Sequence, residues 1–361
     1  MKRNSNFELL RIFCMIFIVF GHLFGQGIGL DNLSVPNSIF AHSVGSFSRI
    51  AVNLFVMISA WFMMEKEFKA ERVLKIYAQT WSYSVGLTFL SCLCGGGEIS
   101  KGAIINMLFP FLRLSVWYVS VHISLMLISP FLNCVKRWNI KQLRSLVLIL
   151  LMLTSVMSTL KGLQENYLSW FMWFIFVYLF VIYLKQFALE QLRPIKSIVF
   201  LFGGLFGYSV VVCMKIFAYR TNLQIYNILA QWLSDPKSLI DFFISGFLFI
   251  FFARINMGFN KTINFIASSA FSVYVFHQIP AFYTVLWNSI LKVSIWRNDM
   301  LMPIYAILTV IIVYALGIVL NLIYKHMLEE MFIRNRISQA VINKIDKLTY
   351  CATSNRLCEN L

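Results

Sequence analysis

Few residues of this chain can do acid–base chemistry. There are five histidines among 361 residues, and all but His42 fall within or at the end of an apolar run. His22 closes a stretch in which nothing between Ile12 and Phe20 is charged. A polar ring in such a place needs a partner or a task. A metal-free imidazole can take a proton from a hydroxyl and return it to a leaving thiolate; the competing reading is a hydrogen bond that merely joins two helices. Arg11 lies eleven residues earlier. On an α-helix that separation is about three turns, so Arg11 and His22 share nearly one face, about 16 Å apart. Glu8 comes one turn before Arg11, where the two can pair. His277 stands in Phe271-Ser272-Val273-Tyr274-Val275-Phe276-His277-Gln278, with Pro280 three positions on. A proline there frees backbone carbonyls and kinks the helix, as happens beside cavities, although His277 could simply cap the kink.

The remaining candidates are weaker. Arg113 and Trp117 are one turn apart, so the guanidinium could line a cavity or snorkel to headgroups. Asn53 and Ser59 would hydrogen-bond an entering substrate or a neighbouring helix. Tyr118 and His122 follow Trp117, and Asp241 is an isolated acid at the start of an apolar run. His42 and His326 read as interfacial. The seven cysteines form no zinc-like cluster: Cys92 and Cys94 are too close together, and Cys14 and Cys213 sit in apolar runs. Nucleophile elbows, His-Glu-x-x-His helices and phosphate-cradling glycine loops are missing from the sequence. Zinc proteolysis, ATP hydrolysis and a dinucleotide domain therefore have no support.

The elements that must position these residues are membrane helices. The chain is 59% hydrophobic and only 13% charged, too few charges to cover a soluble fold of this size. Apolar stretches run at 10–27, 48–64, 73–93, 107–133, 143–160, 167–185, 195–217, 238–254, 263–290 and 302–326, each able to cover about 30 Å of hydrocarbon. The first lacks a small-x-small cleavage site and reads as a retained span. With the N-terminus inside, 22 of the 31 basic residues fall on the inner side, as the positive-inside rule requires. The expectation is an all-α polytopic bundle of about ten transmembrane helices with both termini cytoplasmic. The net charge of +16 is scattered over short loops and the tail, which argues for membrane lipids and against nucleic acid as partner. Residues 28–47 read as the longest outer loop, and Gly95-Gly96-Gly97 as a flexible turn. Residues 1–326 form the embedded domain. Residues 327–361 read as a basic amphipathic tail lying on the inner leaflet.

Several segments together resemble the integral-membrane acyltransferase 3 superfamily. Asn6-Phe7-Glu8-Leu9-Leu10-Arg11-Ile12 running on to Gly21-His22 is similar to the family's opening. Val52-Asn53-Leu54-Phe55-Val56-Met57-Ile58-Ser59-Ala60-Trp61-Phe62 follows, with Ala60 where members usually carry glycine. Val116-Trp117-Tyr118 with Ser129-Pro130-Phe131, and Ser272-Val273-Tyr274-Val275-Phe276-His277, keep the family's order. The resemblance spans residue 6 to about 325. It implies that His22 is the essential histidine and that Arg11 holds coenzyme A phosphates at the cytoplasmic mouth, with Glu8 orienting Arg11 or contacting the donor. Asn53, Arg113, Trp117, Tyr118 and His277 would shape the substrate site.

The implied reaction moves an acetyl or other small acyl group from cytoplasmic acyl-CoA to a hydroxyl of an extracytoplasmic polysaccharide or lipid-linked glycan. The donor is a substrate, and no permanently bound cofactor or metal is expected. Polysaccharide-assembly proteins are further partners, and the bacterial inner membrane is the expected location. Two rivals belong to other classes. A sugar flippase predicts broken segments at matching places in two halves, and no matching half is seen. A glycan polymerase predicts a large charged outer loop, whereas the longest here is about twenty residues.

Overall fold

A computed structural model describes residues 4–93, 100–111, 116–156 and 167–353. Among them every regular element is helical. In chain order the helices are α1 (Asn6–His22), α2 (Val35–Gly45), α3 (Phe47–Met63), α4 (Ala70–Leu93), α5 (Lys101–Leu108) and α6 (Trp117–Leu132). After them come α7 (Ile140–Leu151), α8 (Tyr167–Tyr183), α9 (Ser197–Thr221), α10 (Gln224–Leu233), α11 (Leu239–Arg254) and α12 (Lys261–Ala267). The last are α13 (Ala270–Phe276), α14 (Pro280–Thr284), α15 (Met302–Met327), α16 (Glu329–Arg334) and α17 (Arg336–Thr353). Every expected apolar stretch is helical over most of its described part.

Six of these helices, with their continuations, are long and apolar enough to cross a membrane. They cover Asn6–Ile28, Val35–Met63, Trp117–Arg137, Leu168–Gln191, Ser197–Thr221 and Met302–Met327. A seventh arises if Lys261–Phe276 and Pro280–Ile290 count as one span, bent by 87°. The chain is thus a multi-pass membrane protein, with six or seven spans identified by length and composition where ten were expected. The other stretches fall short for physical reasons. α4 carries Gln79, Thr80, Ser82 and Ser84 along its middle, and α11 is 16 residues long. The expected outer loop 28–47 is largely helical, because Ser34 and Pro36 start α2 where a loop was read. The Gly95–Gly97 turn lies outside the described residues.

The chain divides into two compact units. One comprises residues 1–55, 87–98 and 194–321, the other 56–86, 99–193 and 322–361.

In the first unit, the start of α1 is tied to the far end of α11. Asn6 Nδ2 donates to Phe252 O at 2.5 Å, Ser5 N to Gly258 O at 2.8 Å, and Phe7 stacks on Phe249 at 5.2 Å. The two helices therefore run in opposite directions, which sets the end of α1 level with the start of α11. α9 lies against α11 through glycines: a Cβ on Gly204 or Gly207 would come within 2.8 Å of Leu248 or Ile244. Small residues at such a contact let two backbones approach closely without help from water. The upper part of α15 holds the broken helix in place. Asn321 Nδ2 donates to Ser269 Oγ at 2.9 Å, and Gly317 lies against Val273.

In the second unit, aromatic side chains form the centre. Trp173, Phe174, Phe176 and Tyr178 of α8 are fully buried, and the Tyr178 hydroxyl donates to Asn133 Oδ1 at 2.9 Å. α7 begins on a capping box made by Asn139 and Gln142. The described part of the tail is helical, over Glu329–Arg334 and Arg336–Thr353, and engages this unit: Asp346 Oδ1 accepts from Ala70 N at 2.7 Å, capping α4. Ile342 is buried, while Ile337 and Leu348 remain exposed.

Candidate active site

His22 stands where α1 gives way to a π-helical turn, Leu23–Ile28. Single π turns widen the hydrogen-bond ladder and often sit at functional sites. The turn ends on Gly29, whose φ of 80° a side chain would strain. His277 lies at the break between α13 and α14, with Pro280 opening the new segment. The proline cannot donate to the preceding turn, so the helix stops and the His277 ring is held at the elbow.

The break brings the two histidines together. His22 Nδ1 lies 2.8 Å from His277 Nε2, and the ring centroids are 5.0 Å apart. The direction of this bond follows from its neighbour. His277 Nδ1 lies 2.5 Å from the Val273 carbonyl oxygen, which can only accept, so His277 carries its proton on Nδ1. Its Nε2 then has a lone pair and accepts from the N–H of His22 Nδ1. His22 is left with an unprotonated Nε2, the form a general base requires. His277 is fully buried, and His22 is partly buried. Trp287, also fully buried, closes the far side of the His277 ring at 6.3 Å.

Sequence reading missed a second pair. Gln26 Nε2 donates to Gln278 Oε1 at 3.4 Å, and Gln278 Nε2 returns a bond to Gln26 Oε1 at 3.2 Å. Gln26 follows His22 by one turn and Gln278 follows His277 directly, so both were legible as polar neighbours of the histidines. Together they lock the π turn onto the elbow.

At the opposite end of α1, Arg11 pairs with Glu8 at 2.5 Å, as their spacing predicts. The Glu8 side chain is 2% exposed and that of Arg11 22%, so the acid is buried and the guanidinium reaches outward. Asn53 is fully buried, and its amide donates to Pro236 O at 2.7 Å, holding α3 against the segment before α11. Trp117 and Tyr118 belong to the second unit. Trp117 packs on Trp170 at 4.6 Å, and Tyr118 stacks on His122 at 5.7 Å. Arg113 lies outside the described residues. Among the described residues no cluster of His, Cys, Asp and Glu is arranged to hold a metal ion.

The second unit also holds a cavity of about 620 Å³. Lys66, Lys69, Arg72 and Lys136 line it, but so do Glu65, Glu67, Glu71 and Asp346. Lys136 is already bound to the Met64 carbonyl at 2.7 Å. The charges balance, so the lining by itself does not select an anion.

No curated protein and no solved structure matches this chain. A family model described as an acyltransferase domain matches residues 4–322, a range that takes in Glu8, Arg11, the histidine pair and most of both units. On that match the chain belongs to the acyltransferase 3 family and is a membrane acyltransferase.

Proposed function

We propose that the protein is a membrane O-acyltransferase. It moves an acetyl or other small acyl group from acyl-CoA on the cytoplasmic side to a hydroxyl of a polysaccharide or lipid-linked glycan outside the bacterial inner membrane. The observation that carries this reading is the His22–His277 pair, whose hydrogen bonds leave His22 Nε2 free to act as a base.

The bond changes balance on these groups. His22 Nε2 takes the proton of the acceptor hydroxyl as its oxygen attacks the thioester carbonyl. The tetrahedral oxyanion collapses, the carbon–sulfur bond breaks, and the leaving thiolate takes the proton back from His22. The products are an ester and the free thiol of coenzyme A. His277 holds the reacting tautomer by accepting from His22 Nδ1, and so acts as a positioning residue. Arg11, oriented by Glu8, binds a donor phosphate at the other end of α1, where a forked guanidinium suits phosphate oxygens. The separation of about 16 Å along the helix is one that a long flexible thioester arm can bridge. Asn53 is a proposed contact of the acceptor or of the wall around it; for Arg113, Trp117 and Tyr118 a substrate role is what the family resemblance implies. The topology that goes with this chemistry has ten spans and cytoplasmic termini, with residues 327–361 a basic tail at the inner surface and polysaccharide-assembly proteins as neighbours.

The deciding experiment replaces His22 by Ala, verifies membrane accumulation, and measures O-linked acyl groups on the surface glycan by mass. Their disappearance supports the reading. Unchanged acylation overturns it.

A further inference from the structure

The proposed chemistry leaves one buried acid unused. Asp241, in the first turn of α11, is 1% exposed. Its backbone N–H is taken by the Ser238 N-cap at 3.1 Å, but neither carboxylate oxygen has a hydrogen-bond partner among the described residues. A carboxylate excluded from water with both oxygens unbonded is costly, and lasts only where charge or a visiting ligand offsets the cost. Part of the offset is at hand. Lys215 of α9 and Arg49 of α3 act electrostatically on Asp241, against Asp235 with the opposite sign. The helix register explains why. Ser245 Oγ donates to Asp241 O at 2.7 Å and approaches Ile50 O at 3.4 Å, so the backbone next to Arg49 runs beside the second turn of α11, with the Arg49 side chain itself exposed. The Gly207–Ile244 contact of antiparallel α9 and α11 sets Lys215 two turns further on, level with the same end. These charges act on Asp241 without a hydrogen bond to it, so both carboxylate oxygens stay unbonded among the described residues.

The position matters as much as the charge. α1 and α11 run antiparallel, so Asp241 stands at the His22 end of the unit, away from Arg11 and Glu8. The link is short: a Cβ on Gly21 would fall 2.5 Å from Ser48 Cβ, and Ser48 precedes Arg49. Aromatic rings flank the cluster, with Tyr208 set edge-on to Phe47 at 5.3 Å.

We propose that Asp241, with Lys215 and Arg49 beside it, is the acceptor subsite. Its carboxylate takes two neighbouring hydroxyls of the sugar that receives the acyl group. A vicinal pair of O–H donors matches two unbonded oxygens, the two cations meet the hydroxyl lone pairs, and the third hydroxyl of the ring is then free to reach His22. This subsite rests on the acyltransferase reading above and adds the chemistry that would recognise the acceptor.

The test uses the full chain in membrane vesicles with radiolabelled acetyl-CoA. The acceptor probe is the host strain's surface glycan, stripped of its O-acyl groups by mild alkali. Asp241→Asn should raise the glycan concentration needed for half-maximal labelling by about tenfold or more, while half-saturation by acetyl-CoA does not follow it. The double variant Asp241→Asn, Lys215→Met removes both charges. It also serves as the test if the single variant fails to accumulate. It should remain defective in glycan saturation. Wild-type labelling by the double variant would mean that Asp241 only balances Lys215, and would overturn the subsite. Unchanged glycan dependence in Asp241→Asn, or a defect confined to acetyl-CoA, would overturn it as well. A wild-type chain that transfers no label would sink the acyltransferase reading and the subsite with it, an outcome distinct from any of these.

Discussion

The two ends of α1 are wired in opposite ways. Arg11 finds a partner one turn away in Glu8, a pair set by helical spacing within α1. His22 finds its partner 255 residues away in His277, and the pair exists only if a distant helix breaks at the right place. The local pair resists perturbation elsewhere in the fold. The long-range pair depends on Pro280, on the π turn and on the seat of α13 against α15. A binding charge needs only to be present, whereas a base needs a defined tautomer, and that demand explains the heavier investment at the His22 end.

The largest effect should come from removing the base itself. His22→Ala should lower acyl transfer by about 10²–10⁴-fold, measured as label from acetyl-CoA in glycan, with protein still in the membrane. Retention of more than a tenth of the rate would mean that the two ends do not differ in the way argued. Next comes His277→Ala, which keeps His22 but frees its tautomer. The expected loss is about 10²-fold in turnover, with saturation by acetyl-CoA little altered. His277→Gln supplies an amide oxygen that can accept from His22 Nδ1, and should recover part of the loss. Equal defects in the two variants would reduce His277 to a packing role.

The binding end should respond more mildly and in a different constant. Arg11→Lys keeps the charge and the ion pair with Glu8 but loses the fork. The concentration of acetyl-CoA for half-maximal rate should rise by about tenfold, with turnover less affected. A fall in turnover at unchanged donor saturation would move Arg11 from binding to chemistry.

The same contrast governs what the sequence could disclose. Glu8 and Arg11 were legible as a pair because helical periodicity is a local rule. The pairing of His22 with His277 was not, since no periodicity links residues so far apart. Only Pro280 hinted that the apolar stretch 263–290 contains a break, and an 87° bend is larger than a kink. Gln26 and Gln278 were in view but carried no weight until the elbow brought them together. α2 was hidden by its composition: Gly, Ser and Asn suggested a loop, although Ser34 and Pro36 are good helix starters. The family-like segments around Asn53 and Trp117 proved to be tightly packed. The Asn53 amide is engaged with Pro236, and the Trp117 ring with Trp170.

The smallest effect on rate tests the support behind the elbow. Gly317 of α15 lies against α13, where an added Cβ would come within 2.8 Å of the Val273 Cα. That contact is with backbone, so a flexible side chain cannot absorb it. Val273 also supplies the carbonyl that fixes the His277 tautomer. Gly317→Ala should therefore displace α13 or α15 and cost about 1–3 kcal/mol of stability, read as a lower temperature of thermal aggregation in detergent. Transfer should fall by less than about tenfold, with donor saturation unchanged, because the Arg11–Glu8 ion pair spans a single turn of α1 and does not involve Val273. If donor saturation shifted as much as turnover, the two ends of α1 would be coupled through the fold, and the division between a self-sufficient binding end and an assembled catalytic end would fail.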